Sequence, residues 1–512
     1  MFKKVRSLFA DLMIYGAGDV ATSVVSFLLL PVFSRLLSPV DYGIWALLLT
    51  VELVTKILFR WGVDASFMRL YYDCHDQRDR QRLASTIFLF LLAVNAGLLA
   101  IGVAAAPLVA DRLFGVPGQS LLLQLVLVNT FIGGFYFIPF HVLRIQGKPG
   151  QFSVLAFLRS SSTLAARVLF VVVFRFGIFG VVLADIVVTL GFTALLARWF
   201  APLIRAVFSR RILREALRFG LPRVPHGVAQ QVIGPGTDAY LLRLFLPRAP
   251  AAVLGNIGVY SIGLTFGLGL KYFMSAFEYA WAPFYFKTMK EEDAKRTFSG
   301  MTTYVLAVLV LLAAGLAATS ADLLRLMTPP AYHGAATVIP WIAIGVTLQG
   351  VYLLTSIGLN ITKHTEYYPV ATATAALVNV GSNVLLIPRF GILGPAYANV
   401  LSYAVLAGMA MAFSQRLYPI RYEWRRLLLL ALAAIAACLT AMFAVPGMRV
   451  AAVGVLVRGT VVVGVYLGAL ALSGFFNPRE VERLRGLAGR LGWGRRERPQ
   501  PAEVTSEKEP VP

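Results

Sequence analysis

Cysteine and histidine are scarce in this chain: its 512 residues include two Cys and five His. Cys74 lies in a polar stretch and Cys438 in an apolar run, so we expect no disulfide between them. The Cys74-His75 pair is flanked by acidic residues, but no second cluster completes a metal site. The sequence therefore predicts no disulfide, no metal and no cofactor.

Patterns typical of catalysis are missing from the sequence as well. No Ser/His/Asp set or carboxylate pair stands in the short segments between apolar runs, where an active site outside a membrane would form. The glycine-rich phosphate loop of an ATPase is also missing. We predict that the protein is not an enzyme and that its energy comes from an ion gradient or a substrate gradient.

Apolar residues are abundant instead. The chain is 58% hydrophobic and 14% charged, and its mean hydropathy is +0.73. Runs of about 17–25 apolar residues are long enough to cross a bilayer, and about fourteen such runs are present. A spanning backbone must satisfy its own hydrogen bonds, and no run alternates as barrel strands do. The sequence therefore predicts an all-α polytopic membrane protein.

Positive charge is concentrated in every second connection between these runs. The chain carries 47 Lys and Arg against 25 Asp and Glu, a net charge of +22. The connections around 205–218 and 416–426 are densely basic, whereas the alternate ones hold single basic residues. Cytosolic connections carry this kind of excess, so we expect both termini in the cytosol and membrane lipids as partners. Nucleic acid is not an expected partner.

The two halves of the chain repeat each other. Gly43 and Lys56 recur as Gly258 and Lys271 at a constant offset of 215 residues, with matching apolar residues between them. A repeat of this length indicates a duplicated architecture. Each copy holds six spans, an even number, so both copies run in the same direction. The prediction is two six-helix lobes related by a pseudo-two-fold axis along the membrane normal, plus two extra C-terminal helices.

The repeat divides the chain into five segments. They are an N-lobe with spans one to six (1–204), a cytosolic amphipathic linker (205–219), a C-lobe with spans seven to twelve (220–415), two added spans (416–476) and a basic, then disordered, cytosolic tail (477–512). The linker fits a helix on the inner membrane surface and, nearly as well, a solvated connection. The first span, 12–36, is expected to be an uncleaved anchor.

Charged residues within the apolar runs are candidates for function, because a charge at the bilayer centre costs about 2.5–3.5 kcal/mol on insertion scales. In span two, Glu52, Lys56, Arg60 and Asp64 recur every four residues and are expected on one helical face. Internal pairing from Glu52 to Lys56 explains this ladder as well as a ligand role does. The two explanations do not exclude each other.

Lys271 in span eight lacks the acid that precedes Lys56. The second copy has Gly267 at the place of Glu52, and the nearest acid in sequence is Glu278, two turns further on. A lysine within a membrane lobe and without a local partner requires water, a distant carboxylate or an anionic ligand. Lys271 is therefore a candidate for binding an anion.

Spans one and seven are the other polar helices. Span one carries Asp19, and span seven carries Arg223 and Asp238, so both are expected to face a wet central cavity. Asp19, Glu52, Asp238 and Glu278 are the candidates for cavity polarity and ion coupling. Several prolines and glycines in span seven predict that this helix bends or breaks.

Arg167 in span five and Asp185 in span six are a further intramembrane pair. A charge buried in a lobe is usually compensated by an opposite charge. We predict that these two residues pair with each other and hold the N-lobe together, in preference to a ligand role.

Two stretches of the chain resemble bacterial polysaccharide flippases of the O-antigen and exopolysaccharide type. They are LPVFSRLLSP at 30–39, followed by Asp41-Tyr42-Gly43, and DAYLLR at 238–243, followed by Gly258-Val259-Tyr260-Ser261. These flippases belong to the multidrug/oligosaccharidyl-lipid/polysaccharide exporter superfamily, with the drug extruders and the lipid II flippase. The resemblance extends over most of 10–415.

The resemblance implies two six-helix bundles around a V-shaped cavity lined by the first, second, seventh and eighth helices. It implies an alternating-access flippase that moves an undecaprenyl-pyrophosphate-linked oligosaccharide across the bacterial inner membrane for polysaccharide biosynthesis, such as that of lipopolysaccharide. By position, Lys56, Arg60, Arg223 and Lys271 match cavity cations thought to hold the pyrophosphate and sugar. Besides this substrate and membrane lipids, polysaccharide polymerase and assembly proteins are candidate partners.

Two departures from the family pattern keep alternatives open. The two added spans are more typical of the lipid II flippase branch, and Asp19 resembles the ion-coupling carboxylate of cation-coupled multidrug antiporters. An antiporter of that kind predicts an acidic cavity, which the Lys and Arg content of the spans disfavours. A membrane enzyme of glycan assembly is disfavoured by the short outer segments.

Overall fold

The described part of the chain is helical throughout. The computed structural model describes residues 27–74, 76–233 and 236–476. Its α-helices, numbered α1 to α19 in chain order, are Leu30–Leu36, Pro39–Arg60, Val63–Tyr72, Gln77–Phe114, Ser120–Gly133, Phe137–Ile145, Pro149–Val168, Gly177–Phe200, Arg210–Gly220, Val224–Ile233, Asp238–Phe245, Pro250–Thr288, Ala294–Met327, Ile339–Thr355, Ile357–Ile361, Tyr367–Phe390, Leu393–Leu417, Trp424–Phe443 and Ala451–Leu472. Every regular element in these ranges is helical, which confirms the predicted class.

Within the described ranges, twelve helical segments are long and apolar enough to cross a membrane. They coincide with predicted spans two to six and eight to fourteen. The predicted first span, 12–36, lies largely outside the described residues. The seventh is not one spanning helix within the described residues, in agreement with the predicted bend or break.

The seventh predicted span is broken, as its prolines suggested. A 3₁₀ turn at Leu221–Arg223 leads into α10 (Val224–Ile233), and a separate helix, α11, begins at Asp238. Pro222 and Pro225 lie in the first turns of these segments, where a missing backbone donor is tolerated.

The helices form two bundles. One bundle contains α4, α5, α7 and α8, and the other contains α12, α13, α14, α16 and α17. They meet chiefly where α2 packs along α12, the two helices that carry the repeated glycines Gly43 and Gly258 near their starts. The repeat-equivalent helices therefore lie on the axis between the lobes.

The start of α2 explains part of the first flippase-like stretch. The Ser38 hydroxyl accepts a hydrogen bond from the Asp41 amide (3.2 Å), and the Asp41 carboxylate accepts one from the Ser38 amide (2.9 Å). This reciprocal capping box satisfies two otherwise unpaired donors. Pro39 occupies the first helical turn, where its fixed φ suits the helix. The Ser-Pro-x-Asp portion of the stretch therefore serves helix initiation.

The other end of α2 is a sharp turn before α3. Trp61 and Gly62 have left-handed φ values of 51° and 68°. The conformation of Trp61 costs energy for a residue with a side chain, and the surrounding contacts hold it. Its indole donates to the Asn95 side-chain oxygen (3.0 Å), while the Asn95 amide donates to the Phe59 carbonyl (2.8 Å). The turn separates Arg60 from Asp64, so the predicted four-residue ladder does not lie on one continuous helix.

The two added helices, α18 and α19, pack on α13 of the C-lobe and on each other. Asp322 of α13 is buried, and Arg458 of α19 donates to its carboxylate at 2.8 Å. A Cβ at Gly454 would lie 2.6 Å from that carboxylate, so the close approach of α19 depends on this glycine. A buried ion pair therefore fastens α19 to the C-lobe.

Candidate substrate cavity

A charged cavity of about 410 Å³ lies inside the N-lobe, next to the second half of α2. Its lining side chains include all four members of the predicted ladder. The described residues around it are Glu52, Lys56, Arg60, Asp64, Asn129, Gly133, Tyr136, Phe137, Phe140, His141, Arg144, Phe152, Ala156, Arg159 and Ser160. Although α2 ends at Arg60, the turn that follows directs Asp64 back to the same cavity.

The ladder is paired within itself, as one explanation of the sequence predicted. The Lys56 ammonium lies 2.5 Å from a Glu52 carboxylate oxygen, and Arg60 lies 3.7 Å from Asp64. Both cations nevertheless remain accessible, with 42% of the Lys56 side chain and 46% of the Arg60 side chain exposed. Exposed ion pairs are worth at most about 1 kcal/mol. An incoming anion can therefore compete for both cations.

Positive charge exceeds negative charge in this cavity. Four basic side chains, Lys56, Arg60, Arg144 and Arg159, line it together with two carboxylates. The Arg159 guanidinium lies 4.6 Å above the Tyr136 ring, which favours a cation by its π face and orients the arginine. The cavity thus combines a net positive charge with aromatic walls.

Sequence reasoning missed several residues of this cavity. Asn129, His141 and Arg144 were not singled out, and Arg159 had no assigned role. Each of them is a polar residue within or beside an apolar run, which is the feature that identified Lys56. What the sequence did not show is that α5, α6 and α7 converge on one side of α2.

Arg167 and Asp185 form the predicted pair. The guanidinium donates to both carboxylate oxygens at 2.8 Å, and the two side chains are 23% and 20% exposed. This bidentate pair joins α7 to α8 and confirms the structural explanation. Both residues are committed to the N-lobe interior and lie outside the charged cavity.

Lys271 lies in a different pocket from Lys56. Its neighbours belong to the C-lobe and include Leu264, Leu268, Asn399 and Tyr403. Among the described residues, Lys271 has no hydrogen bond or ion pair, in agreement with the missing local acid. The expectation that both repeated lysines line one cavity is therefore not met in this structure.

Glu278, the nearest acid after Lys271 in sequence, is exposed and forms no ion pair with a described residue. It lies seven positions further along α12, beyond the pocket that contains Lys271. The structure therefore leaves Glu278 apart from both the charged cavity and the lysine.

Asp238 is fully buried in the C-lobe, which corrects the expectation that it faces a wet cavity. Its carboxylate accepts hydrogen bonds from the Tyr260 hydroxyl (2.5 Å) and the Asn399 amide (2.7 Å). The second carboxylate oxygen accepts nothing from the described residues. The side-chain oxygens of Asn383 and Asn399 are likewise buried and without a described donor. Several unpaired oxygen acceptors therefore lie in this part of the C-lobe core.

Two further candidates cannot be placed by side chain. Asp19 lies outside the described residues. Arg223 ends the 3₁₀ turn before α10, but its side chain is likewise outside what the structure describes. Their predicted roles stay predictions.

A second pocket, of about 270 Å³, lies nearer the start of α2, between that helix, α12 and the start of α11. Tyr42 and Trp45 form an aromatic wall, and Thr50, Ser261 and Thr265 contribute hydroxyls. The Thr50 hydroxyl donates to the Gly236 carbonyl (2.7 Å), so this hydroxyl also fastens α2 to the segment before α11. The pocket is uncharged, in contrast to the N-lobe cavity.

Comparison with known proteins shows to which proteins the chain is similar. Residues 32–238 match the sequence model of a family described as Polysaccharide biosynthesis protein. The uncharacterized membrane protein MJ1068 of Methanocaldococcus jannaschii is 24% identical over 270 residues, 51% of this chain and 51% of that protein. The chain thus matches about half the length of this curated relative.

Solved structures share the fold over most of the chain. The lipid II flippase MurJ in an inward closed conformation aligns with a TM-score of 0.71 at 13% identity, covering 90% of this chain and 98% of that one. An inward-facing multidrug resistance MATE family transporter of the MOP superfamily aligns with a TM-score of 0.56 at 16% identity, covering 79% and 94%. One of these two proteins is a flippase and the other a transporter, and their common fold agrees with the fold that the resemblance implied.

Proposed function

We propose that this polysaccharide flippase-type exporter of the multidrug/oligosaccharidyl-lipid/polysaccharide superfamily translocates an undecaprenyl-pyrophosphate-linked oligosaccharide across the membrane by alternating access. The charge of the N-lobe cavity is the observation that carries the proposal. Lys56, Arg60, Arg144 and Arg159 outnumber the two carboxylates there. A pyrophosphate brings negative charge into a region of low dielectric and requires such compensation.

The magnitude of this compensation is large enough to matter. Two unit charges about 4 Å apart interact with about 4 kcal/mol at an effective dielectric of about 20. Lys56 already pairs with Glu52, but 42% of the Lys56 side chain is exposed, so solvent screens this pair and a pyrophosphate displaces Glu52 at small cost. A cationic drug would instead meet a net repulsion in the same cavity.

The uncharged pocket between the lobes suits the other end of such a substrate. Sugars present C–H faces and hydroxyls, and Tyr42, Trp45 and Thr50 offer an aromatic wall with a hydroxyl beside it. Because this pocket and the charged cavity follow each other along α2, we assign the saccharide to the first and the pyrophosphate to the second. Rocking of α2 against α12 would then expose both to one side at a time.

Coupling to an ion gradient is assigned to Asp238. A carboxylate buried with unpaired oxygens around it gains most from binding a proton or a small cation. Asp238 begins α11, directly after the break in the seventh span, so loading it would alter the packing of a helix that is not continuous with α10. For this function, the protein would lie in the bacterial inner membrane with both termini in the cytosol, as the charge distribution predicts.

The test is translocation in proteoliposomes. A fluorescent undecaprenyl-pyrophosphate oligosaccharide and, separately, a cationic dye are offered to the wild type and to Lys56→Gln, Arg159→Gln and Lys271→Gln. Lys290→Gln is the control, since Lys290 is an exposed lysine outside every pocket described above. We expect saccharide flipping by the wild type and the control, and at least about a tenfold loss in Lys56→Gln and Arg159→Gln, because each cation contributes more than 1.4 kcal/mol in that cavity.

Two outcomes would contradict the proposal. Export of the dye with unchanged activity in the Lys56 and Arg159 variants would make the protein a drug extruder with structural cations. Loss of flipping in Lys271→Gln alone would move the anion site to the C-lobe. Folding of each variant is checked by its thermal unfolding, so that an unstable variant is not counted as an inactive one.

A further inference from the structure

The linker between the lobes carries a helix that is fixed against the N-lobe. The Ala216 carbonyl of α9 accepts a hydrogen bond from the buried Ser66 hydroxyl (2.6 Å). A Cβ at Gly220 would lie 2.6 Å from the Gly62 carbonyl oxygen, so the two backbones are in direct contact. Ser209 caps the start of the helix by accepting from the Ile212 amide. The orientation of α9 is therefore determined by packing, and its outer face is a defined surface.

That outer face is strongly basic. It presents four exposed arginines, Arg210, Arg211, Arg214 and Arg218, and one exposed acid, Glu215. Among the described residues, none of the four guanidinium groups takes part in an ion pair or donates a hydrogen bond. An exposed basic face of a helix is often merely solvated, so the charge by itself identifies no ligand.

A groove beside the arginines supplies the second observation. It has a volume of about 590 Å³ and is lined by two parallel ridges on the same helix. One ridge consists of Arg210, Arg214 and Arg218; the other consists of Leu213, Leu217 and Leu221, followed by Pro222. Residues four apart stack along one helical face, so each ridge runs the length of α9.

Apolar side chains next to the groove extend this pattern. Phe208 is 48% exposed and Val207 is 43% exposed just before the helix, and Leu221 is 43% exposed just after it. Exposed apolar residues that flank a basic helix are typical of helices that lie in the membrane interface. The arginines can reach the headgroup level while the apolar side chains enter the acyl region.

We infer that α9 binds an anionic phospholipid of the inner leaflet, with its phosphate on the Arg210–Arg214–Arg218 ridge and an acyl chain along the Leu213–Leu217–Leu221 ridge. Charge complementarity selects an anionic headgroup over a zwitterionic one. The leucine ridge selects an amphiphile over free phosphate or an acidic peptide, since neither would cover apolar surface. The bound lipid would hold the linker at the membrane surface while the lobes move.

The experiment measures lipid retention, independently of transport. Protein is reconstituted in nanodiscs that contain phosphatidylglycerol and phosphatidylethanolamine, released, and examined by native mass spectrometry. The variant carries Arg210→Gln, Arg214→Gln and Arg218→Gln together. We expect it to lose at least about tenfold in phosphatidylglycerol affinity, because each basic residue near an anionic surface contributes about fivefold. Retention of phosphatidylethanolamine is expected to stay as in the wild type.

A matched control removes the same charge elsewhere. Arg416 at the end of α17, Arg421 in the connection and Arg425 at the start of α18 are exposed basic residues on the same predicted side of the membrane. If their triple Gln variant loses phosphatidylglycerol equally, the effect is one of surface charge and the inference is wrong. Undecaprenyl pyrophosphate is also added to each sample. If it replaces phosphatidylglycerol on the wild type and does not bind the α9 variant, α9 has a different ligand and the inference is wrong.

A second variant keeps all the charges and tests the apolar ridge. Leu213→Asn is expected to reduce retention of phosphatidylglycerol while its thermal unfolding stays unchanged, since Leu213 is half-buried on the surface of α9. Retention equal to that of the wild type would show that the leucines do not hold an acyl chain, which contradicts the inference.

Discussion

Gly43 and Gly258 each contact the backbone of the other's helix four residues upstream. A Cβ at Gly43 would overlap the Leu254 carbonyl oxygen, and a Cβ at Gly258 would overlap that of Pro39. Leu254 precedes Gly258 by four residues, as Pro39 precedes Gly43, so the two contacts are related by the repeat. The backbones of α2 and α12 are thus in direct contact near the start of each helix. The charge distribution predicts that this end of the two helices is the outer one.

This contact predicts a gating phenotype. Gly258→Ala inserts a methyl group where the Pro39 carbonyl lies, so the outer ends of α2 and α12 are expected to separate. Gly255→Ala, three residues earlier on α12, meets no atom within 4 Å and is the control. The measurement is modification of a cysteine introduced at Ser261 by a membrane-impermeant thiol reagent. We expect faster modification in Gly258→Ala only; equal rates would show that the glycine contact does not close this end.

The pairing of Lys56 with Glu52 predicts an inhibitory carboxylate. Glu52→Gln frees the Lys56 ammonium, so a pyrophosphate lipid should bind about two- to fivefold more tightly, the equivalent of an exposed ion pair. Asp41→Asn, which alters a carboxylate at the outer start of α2, is the control. Binding is measured by fluorescence anisotropy of a labelled lipid pyrophosphate. Weaker binding in Glu52→Gln would mean that Glu52 supports the site instead of competing for it.

Substitution of Asp238 is expected to abolish coupling to the ion gradient without abolishing translocation. Asp238→Asn removes the charge but keeps the size, so flipping driven by an ion gradient should be lost while exchange without a gradient persists. Tyr260→Phe removes one hydrogen bond to the carboxylate, worth about 1.5–3 kcal/mol for a charged acceptor, and should weaken coupling only partly. Proteoliposome assays with and without H⁺ or Na⁺ gradients provide the measurement. If Asp238→Asn remained fully gradient-driven, another group would carry the ion.

The Asp322–Arg458 pair is expected to hold α19 in place. Arg458→Met leaves the buried Asp322 carboxylate with only Arg325, 3.7 Å away, and should destabilise the protein by about 3–5 kcal/mol. Arg449→Gln, an exposed arginine between α18 and α19, is the control. Thermal unfolding in detergent and proteolysis of the α18–α19 connection report the change. Identical melting of both variants would show that apolar packing alone attaches these helices.

Arg167 and Asp185 are expected to be coupled. Because both are partly exposed, we expect a coupling energy of about 0.5–3 kcal/mol in a double-mutant cycle of Arg167→Gln and Asp185→Asn. The transport rate per folded molecule should change little, since neither residue lines the charged cavity. Additive destabilisation would mean that the two side chains act independently.

Features set by local chemistry were predictable from the sequence. Arg167 and Asp185 are opposite charges in adjacent apolar runs, and each has little else to pair with. The break before Asp238 follows from proline chemistry, which needs no tertiary information. The overall class followed from run length and from the requirement that spanning backbone bond to itself.

Features that depend on which helices pack together could not be predicted from the sequence. Arg144 and Arg159 reach the cavity of Lys56 only because α6 and α7 pack beside α2. The polarity of span seven predicted a wet cavity around Asp238, whereas the side chains of Tyr260 and Asn399 supply its hydrogen bonds. Equivalence in the repeat, likewise, did not reveal that Lys56 and Lys271 point into separate lobes.

The attachment of α18 and α19 to α13 gives the molecule an uneven outline within the bilayer. Helices joined to one lobe alone travel with it, so the C-lobe sweeps a larger lipid area than the N-lobe during any rocking motion. In such a motion, work done against lateral membrane pressure would fall mainly on the C-lobe. Bilayer thickness and stiffness would consequently tune the rate of C-lobe movement more than that of its partner.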